Sequence, residues 1–279
     1  MTGNVPRKKN SAGTVLLNAP YVVWAAIFII VPLLIVIYYA FTDKSGAFTF
    51  ENIMALADYK DTFIISVIYS LIATAITLVM AYPFAFFMSR AKVSSQRMMM
   101  MLVMLPMWMN LLIRTYSWMI ILERNGIINN LLGMIGIDPL KMIGTPAAVI
   151  LGMVYNYLPY MILPIYTVMS KIDPSLYEAA EDLGCGIWQK LRRVILPLSL
   201  PGVISGITMV FVPSVSTFYI SYKLGGGKIS LIGDAIERQI QTSYNYNLGA
   251  SLSLVLMVFI LISLAIMNRF SGDEGGIVV

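Results

Sequence analysis

Histidine is absent from this 279-residue chain, and cysteine occurs once, as Cys185. Imidazole-based zinc or haem sites, His-driven proton transfer and a disulfide framework are thereby set aside. Charge is also scarce. Asp, Glu, Lys and Arg make up 12% of the residues, against about 25% in a soluble domain, while 58% are hydrophobic and the mean hydropathy is +0.80. Water is therefore not the solvent for most of this surface. The net charge of +5 would suggest nucleic acid in a polar chain. Here it reads as topology, because cations gather on the cytoplasmic side of membrane proteins; lipid, not nucleic acid, is the expected surrounding.

What the chain does contain is six long stretches nearly free of charge, at about 19–41, 62–89, 98–122, 142–170, 198–222 and 246–268. Each exceeds the roughly 20 residues a helix needs to cross a hydrocarbon layer of about 30 Å. Alternation with period two is missing, so the spans are helices and not barrel strands. The first stretch follows Arg7, Lys8 and Lys9 and is too long for the apolar core of a signal peptide. It reads as a retained helix, with 1–18 and 271–279 as tails. The short loop carrying Arg90, Lys92 and Arg97 has no acid and sets the orientation, with both termini cytoplasmic. The expectation is an all-α integral membrane protein with about six transmembrane helices. Pro83, Pro106, Pro159, Pro164 and Pro213 fall inside spans and each removes a backbone hydrogen bond.

The segment 171–201, on the cytoplasmic side in this topology, is the most informative. Asp173 reads as an N-cap and Pro174 as a first helical residue. A short helix follows with its acids, Glu178, Glu181 and Asp182, along it. Gly184 is a natural terminator. A second amphipathic piece then sets Ile187, Trp188 and Leu191 against Lys190, Arg192 and Arg193, and is expected to stop at Pro197. Both pieces would lie against the inner membrane face.

Glu178-Ala179-Ala180, then Gly184, then Leu196-Pro197 resemble the EAA motif of the membrane subunits of ABC importers; Val194 stands where the family has Ile. The run Leu105-Pro106-Met107-Trp108-Met109-Asn110, together with Gly144-Thr145-Pro146, Leu158-Pro159 and Leu231-Ile232-Gly233, is similar to the spermidine/putrescine permeases of that family. The resemblance implies a type I, MetI-like permease architecture. In it, the loop is a coupling helix fitting a cleft on a separate ATPase, through Glu178, Ala179, Ala180, Gly184, Leu196 and Pro197. It also implies the partners: a second homologous permease subunit, two copies of a cytoplasmic ATPase subunit and an extracytoplasmic polyamine-binding protein. ATP and Mg²⁺ would be used by the ATPase, and this chain would bind no cofactor. Gly225-Gly226-Gly227-Lys228 is not a phosphate-binding loop, since Tyr222 stands at the first glycine position and Ile229 where Ser or Thr should follow. Two other readings remain: a permease for another small solute, such as an anion, and an ion-driven transporter. The second usually needs ionisable groups within its spans.

For the translocation path, the sequence offers Ser216, Tyr219 and Tyr222 at the end of the fifth span, and Trp108, Asn110 and Arg114 in the third. Ring faces can hold a polycation. Arg114 follows Arg97 by 17 residues, about 25 Å along a straight helix, which would leave it snorkelling at the outer boundary; facing the cavity instead, it would repel a polycation and act as a gate residue. Gly202 and Gly206 have the spacing of close helix packing. No span contains a carboxylate; Asp234 and Glu237 fall in the outer loop. An interfacial helix within 123–141 and the loop 223–247 are expected to meet the binding protein.

Overall fold

A computed structural model describes residues 20–271. Helices account for most of it: α1 (Pro20–Ala40), α2 (Lys60–Arg90), α3 (Val93–Trp108), α4 (Leu111–Leu122), α5 (Ile127–Met134), α6 (Pro146–Met169), α7 (Ser175–Asp182), α8 (Ile187–Val215), α9 (Tyr219–Leu224), α10 (Ile232–Glu237) and α11 (Tyr246–Ser271). Five of these are long and apolar enough to cross a membrane, and α3 with the chain after it makes a sixth if a bent pair counts as one span. Residues 1–19 and 272–279, which include the expected N-terminal tail 1–18 and nearly all of the expected C-terminal tail 271–279, lie outside the described residues.

The centre of the bundle is α6, packed against α2 on one side and α8 on the other. Thr145 caps its start by accepting the Ala148 N–H at 3.3 Å, and Pro146 occupies the first turn, where a missing N–H costs nothing. Val149, Met153, Met161 and Ile165 are fully buried along it. On α2, the buried face is Ser66, Ser70, Ala73, Thr74, Thr77, Ala81 and Ala85, small residues recurring every three or four positions. Small side chains let backbones approach closely. Their hydroxyls bond back to their own helix, as Ser70 Oγ does to the Ser66 carbonyl at 2.7 Å and Thr77 Oγ1 to the Ala73 carbonyl at 2.6 Å. On α8, Gly202 meets the Pro164 carbonyl and Val168, and Gly206 meets Met161. The glycine spacing therefore does mark close packing.

The outer helices differ. None of the residues of α1 before Ala40 is buried, so this helix, apolar on every side, shows its surface to lipid or to another chain. One end of it is tied to α11. Asn247 Nδ2 donates to the Thr42 carbonyl at 2.6 Å, and Ser251 Oγ to the Ala40 carbonyl at 3.0 Å.

The structure differs from the sequence expectation in the third and fifth spans. The stretch 98–122 is not one straight span: the chain breaks at Met109 and Asn110 and turns by 90°. Pro106 removes an N–H from the last turn of α3, and Asn110 starts a new helix by accepting the Leu112 N–H at 2.7 Å. In addition, the basic piece after Gly184 does not stop at Pro197. It runs straight into the span as one 29-residue helix, Ile187–Val215. A wider turn over Leu191–Ile195, in which the Leu196 N–H reaches back to the Leu191 carbonyl, takes up the register change beside the proline.

A Cβ at Gly202 would lie 2.8 Å from the Pro164 carbonyl oxygen and 3.0 Å from Val168. Gly202→Leu should therefore push α8 off α6 and cost about 1–3 kcal/mol. Gly133→Ala, at a position with open space, should be neutral or slightly stabilising. Thermal unfolding of the purified chain in detergent measures both.

Candidate functional site

Two regions hold the residues singled out from the sequence, one at each end of the bundle. The first is the loop joining α6 to α8. Asp173 Oδ1 accepts the Ser175 N–H at 2.9 Å and so fixes the start of α7, and this bond holds its carboxyl below the usual range. The helix closes on a crossed pair of hydrogen bonds, Gly184 N–H to the Glu181 carbonyl at 2.8 Å and Cys185 N–H to the Ala180 carbonyl at 2.9 Å, with Gly184 at φ +75°. That left-handed conformation costs a residue with a Cβ roughly 1–2 kcal/mol. An ion pair between Lys190 and Glu181 then ties α7 to the start of α8 and lowers the Glu181 carboxyl.

Ala180 is buried against the bundle, whereas Glu178 and Ala179 face outward. Around the glycine, Leu183, Ile187 and Trp188 are each at least 80% exposed. Large apolar side chains clustered on a turn with charged neighbours mark a binding surface. Among the described residues, no neighbouring element lies within 4 Å of a Cβ at Gly184, so they leave this face open. Leu196 and Pro197 are exposed on the first turns of the α8 span, apart from the α7 surface.

One contact from outside the loop was not anticipated. The Arg90 guanidinium, at the end of α2, stacks on the Tyr177 ring of α7 at 3.1 Å from the centroid. Beside it, Tyr82 and Ser199 share a hydrogen bond of 3.0 Å between α2 and α8. No periodicity or motif signals this pairing, because its partners are 87 residues apart.

The second region lies at the opposite end, where α4 packs on α9. The two groups of path residues proposed from the sequence thus sit on touching elements. Trp108 is 81% exposed at the break between α3 and α4, beside exposed Asn110, whose side chain is engaged as the α4 cap. Arg114 departs from expectation. It does not snorkel at a boundary: it is 6% exposed, and its Nε and Nη1 have no hydrogen-bond partner among the described residues. The 90° break invalidates the straight-helix distance from Arg97. The guanidinium is within electrostatic reach of the Tyr157 hydroxyl, which itself donates to the Pro213 carbonyl at 3.3 Å.

The α8 helix ends at Val215, earlier than the 222 expected, and Ser216 and Thr217 make an irregular link before α9. Ser216 Oγ turns back to the Val212 carbonyl at 3.2 Å. The rings of Tyr219 and Tyr222 are already attended by a cation of this chain, Lys223 Nζ, at 5.8 and 5.3 Å from their centroids. Tyr222 also lines a cavity of about 220 Å³ together with Asp234, Glu237 and Arg238. Read along the chain, those carboxylates were simply loop residues; folding sets them against a ring chosen as a path residue. Asp234 accepts the Leu231 N–H at 2.7 Å and is pushed up to about 6, first by burial and despite bonds to Ser221 and Leu231.

A carboxyl raised in the folded state binds its proton more tightly there than in the unfolded chain. Its contribution to stability is largest when protonated and is lost as pH rises through about 4 to about 6. Asp234→Asn keeps the acceptor and removes the titration. The melting temperature of the variant relative to wild type should therefore rise from pH 4 to pH 7 and then level; a pH-independent difference would refute the assignment.

The comparisons with known proteins agree with this architecture. Residues 81–272 match the family described as binding-protein-dependent transport system inner membrane component. The chain is 38% identical over 256 residues to the spermidine/putrescine transport system permease protein PotB of Haemophilus influenzae, covering 88% of this chain and 90% of that protein. It is 35% identical over 258 residues to PotB of Escherichia coli, covering 89% and 94%. The fold matches a chain of a bacterial alginate ABC transporter, solved in complex with an alginate pentasaccharide-bound periplasmic protein, with a TM-score of 0.76, 18% identity and 94% of each chain covered. With five candidate spans, or six if the bent pair is one, and the match covering more than half its length, the chain belongs to the family of binding-protein-dependent transport system inner membrane components.

Proposed function

We propose that this chain is the polyamine permease subunit of an ATP-driven importer, forming half of a translocation path and receiving work through α7. The observation that carries the coupling role is the open apolar turn of Leu183, Ile187 and Trp188 around a glycine-closed helix, on a chain otherwise built for lipid. The polyamine assignment rests on the identity to the two PotB proteins over nearly the whole chain. In this reading the α7 end is cytoplasmic, in keeping with Arg90, Lys92 and Arg97 beside it.

The partners follow from the same reading: a second homologous permease subunit, two copies of an ATPase subunit that bind ATP and Mg²⁺, and an extracytoplasmic polyamine-binding protein. Glu178, Ala179 and Gly184 would enter the ATPase cleft, while Ala180, buried against the bundle, would seat the helix from behind. Leu196 and Pro197 would shape the first turns of the span behind it. Trp108, Asn110, Arg114, Ser216, Tyr219 and Tyr222 would border the path. For a polycation, ring faces and the Asp234–Glu237 pair are the attractive elements, and Arg114 is repulsive. A buried cation in the bundle favours one rival, a permease for an anionic solute, and substrate selection separates the two.

Gly184→Asp puts a Cβ and a charge into the left-handed turn and the docking face. ATP-dependent uptake of labelled spermidine should fall at least tenfold while the chain still inserts and its melting temperature drops only by the few degrees that about 1–2 kcal/mol of backbone strain costs; normal uptake would remove the coupling role. Trp108→Ala and Tyr219→Ala should each lower spermidine uptake without loss of assembly. If neither changes the kinetics, the path lies elsewhere, and if the reconstituted complex takes up an anion and not spermidine, the rival stands.

A further inference from the structure

Three hollows join end to end along one flank of α6. At the end of the bundle opposite α7, a cavity of about 640 Å³ is lined by Arg124, Lys141 and Lys228, with Glu123 as its one acid. A second, of about 430 Å³, shares Leu122, Lys141 and Met142 with the first and continues to Ala147 and Leu151. A third, of about 560 Å³, shares Ala147 and Leu151 and descends between α2, α4 and α6 past Met80 and Trp118 to Leu158. No charged residue lines this last hollow. The flank thus has a cationic head and an uncharged, almost wholly apolar tail.

The head is preorganised. Gly144 N–H donates to the Leu224 carbonyl at 2.9 Å, which straps the loop before α6 to the end of α9. Asn129, 2% exposed, holds the Leu140 backbone by accepting its N–H at 2.8 Å and donating to its carbonyl at 3.0 Å. Lys141 and Lys228 thus line one cavity from two loops strapped together, and the side chain and charge of Lys228 lower the pKa of Lys141. Among the described residues, the one ion pair is Lys190–Glu181. Three cations against a single carboxylate leave this head with a net positive charge that favours an anion from outside.

We propose that this flank binds one anionic phospholipid, with its phosphate between Lys141 and Lys228 and one acyl chain along α6 from Ala147 to Leu158. The dimensions fit. Eleven residues of helix separate Ala147 from Leu158, about 16 Å, and one leaflet of a hydrocarbon layer of about 30 Å is about 15 Å deep. Lys141 lies just before the first turn of α6, and Lys228 lies in the loop after α9 that is strapped to that turn, where headgroups of that leaflet lie. A soluble anion would use the head and not the groove. A helix of another subunit would use the groove and not the lysines. A phospholipid uses both, and this holds whichever solute the complex transports.

The test uses the full chain, purified with its co-purifying subunits and read by native mass spectrometry against phosphatidylglycerol and phosphatidylcholine. Wild type should bind phosphatidylglycerol at least tenfold more tightly than phosphatidylcholine. The Lys141→Gln, Lys228→Gln double variant, changed only at exposed positions, should keep its melting temperature and lose that preference to within about twofold. Leu151→Trp, which fills the groove, should weaken both lipids, and millimolar inorganic phosphate should displace neither. An unchanged preference in the double variant would overturn the proposal. So would displacement by phosphate with a silent Leu151→Trp, which means a headgroup-type anion alone. Efficient cross-linking of a Leu151→Cys chain to the second permease in native membranes would overturn it too, since protein would then occupy the groove.

Discussion

Everything in this bundle depends on how closely α6 can be approached. Lipid tails are as apolar as leucine, so burial of apolar surface does not hold membrane helices together; packing distance and internal hydrogen bonds do. The chain meets that constraint with residues that occupy little space. Gly202 and Gly206 bring α8 onto Pro164 and Met161, and Gly152 lets Ile220 and Leu224 of α9 come against α6. The serines, threonines and alanines of α2 do the same on the other side, with their hydroxyls satisfied within the helix. Three of the hydrogen bonds that cross between elements sit around this core. Tyr157 reaches the Pro213 carbonyl, Tyr166 reaches Gln96 at 3.1 Å, and Tyr82 reaches Ser199.

A rigid centre makes irregular backbone affordable at the ends. Non-helical chain at membrane depth survives only where protein or a polar cavity satisfies it. The break at Met109 and Asn110 is held by the Asn110 side chain, and the link at Ser216 and Thr217 by hydroxyl and backbone bonds within the helix end. Ile232 N–H, which opens α10, is received by Ser66 Oγ of α2 at 2.8 Å. In each case a short polar side chain close in space does what a regular helix would otherwise do. The residues proposed for the path lie at two of these irregular places.

Long-range packing, not local pattern, separates what could be read along the chain from what could not. Span number follows from runs of apolar residues, and the α7 start and stop follow from Asp173 and Gly184, because caps act within three or four residues. The bend after Pro106 was harder: proline inside a membrane helix usually kinks it, and only the combination with an N-capping Asn110 turns a kink into a 90° break. Pro197 misled in the opposite direction, since a wide turn absorbs its missing N–H. Arg114, Lys223 and Asp234 could not be placed from sequence at all. Burial of the first, the ring contacts of the second and the raised carboxyl of the third are made by residues on other elements.

The coupling reading becomes a mechanical statement once the attachments of α7 are traced. Its start continues from α6 through the turn at Lys171 and Ile172, and its end continues into α8 through Gly184 and the Lys190–Glu181 pair. Its flank is attached to α2 by the Arg90 stack on Tyr177. These are the same three helices whose close approach makes the core. A push on α7 would therefore reach α2, α6 and α8 together, through two covalent links and one cation–π contact, and packed cores respond to such a push by shifting as bodies and not by flexing. Peripheral α1 has no comparable link to α7; one end of it is held to α11 at the far side of the bundle. On the proposed function, α2, α6 and α8 form the moving half of the path, and α1 stays with whatever surrounds it.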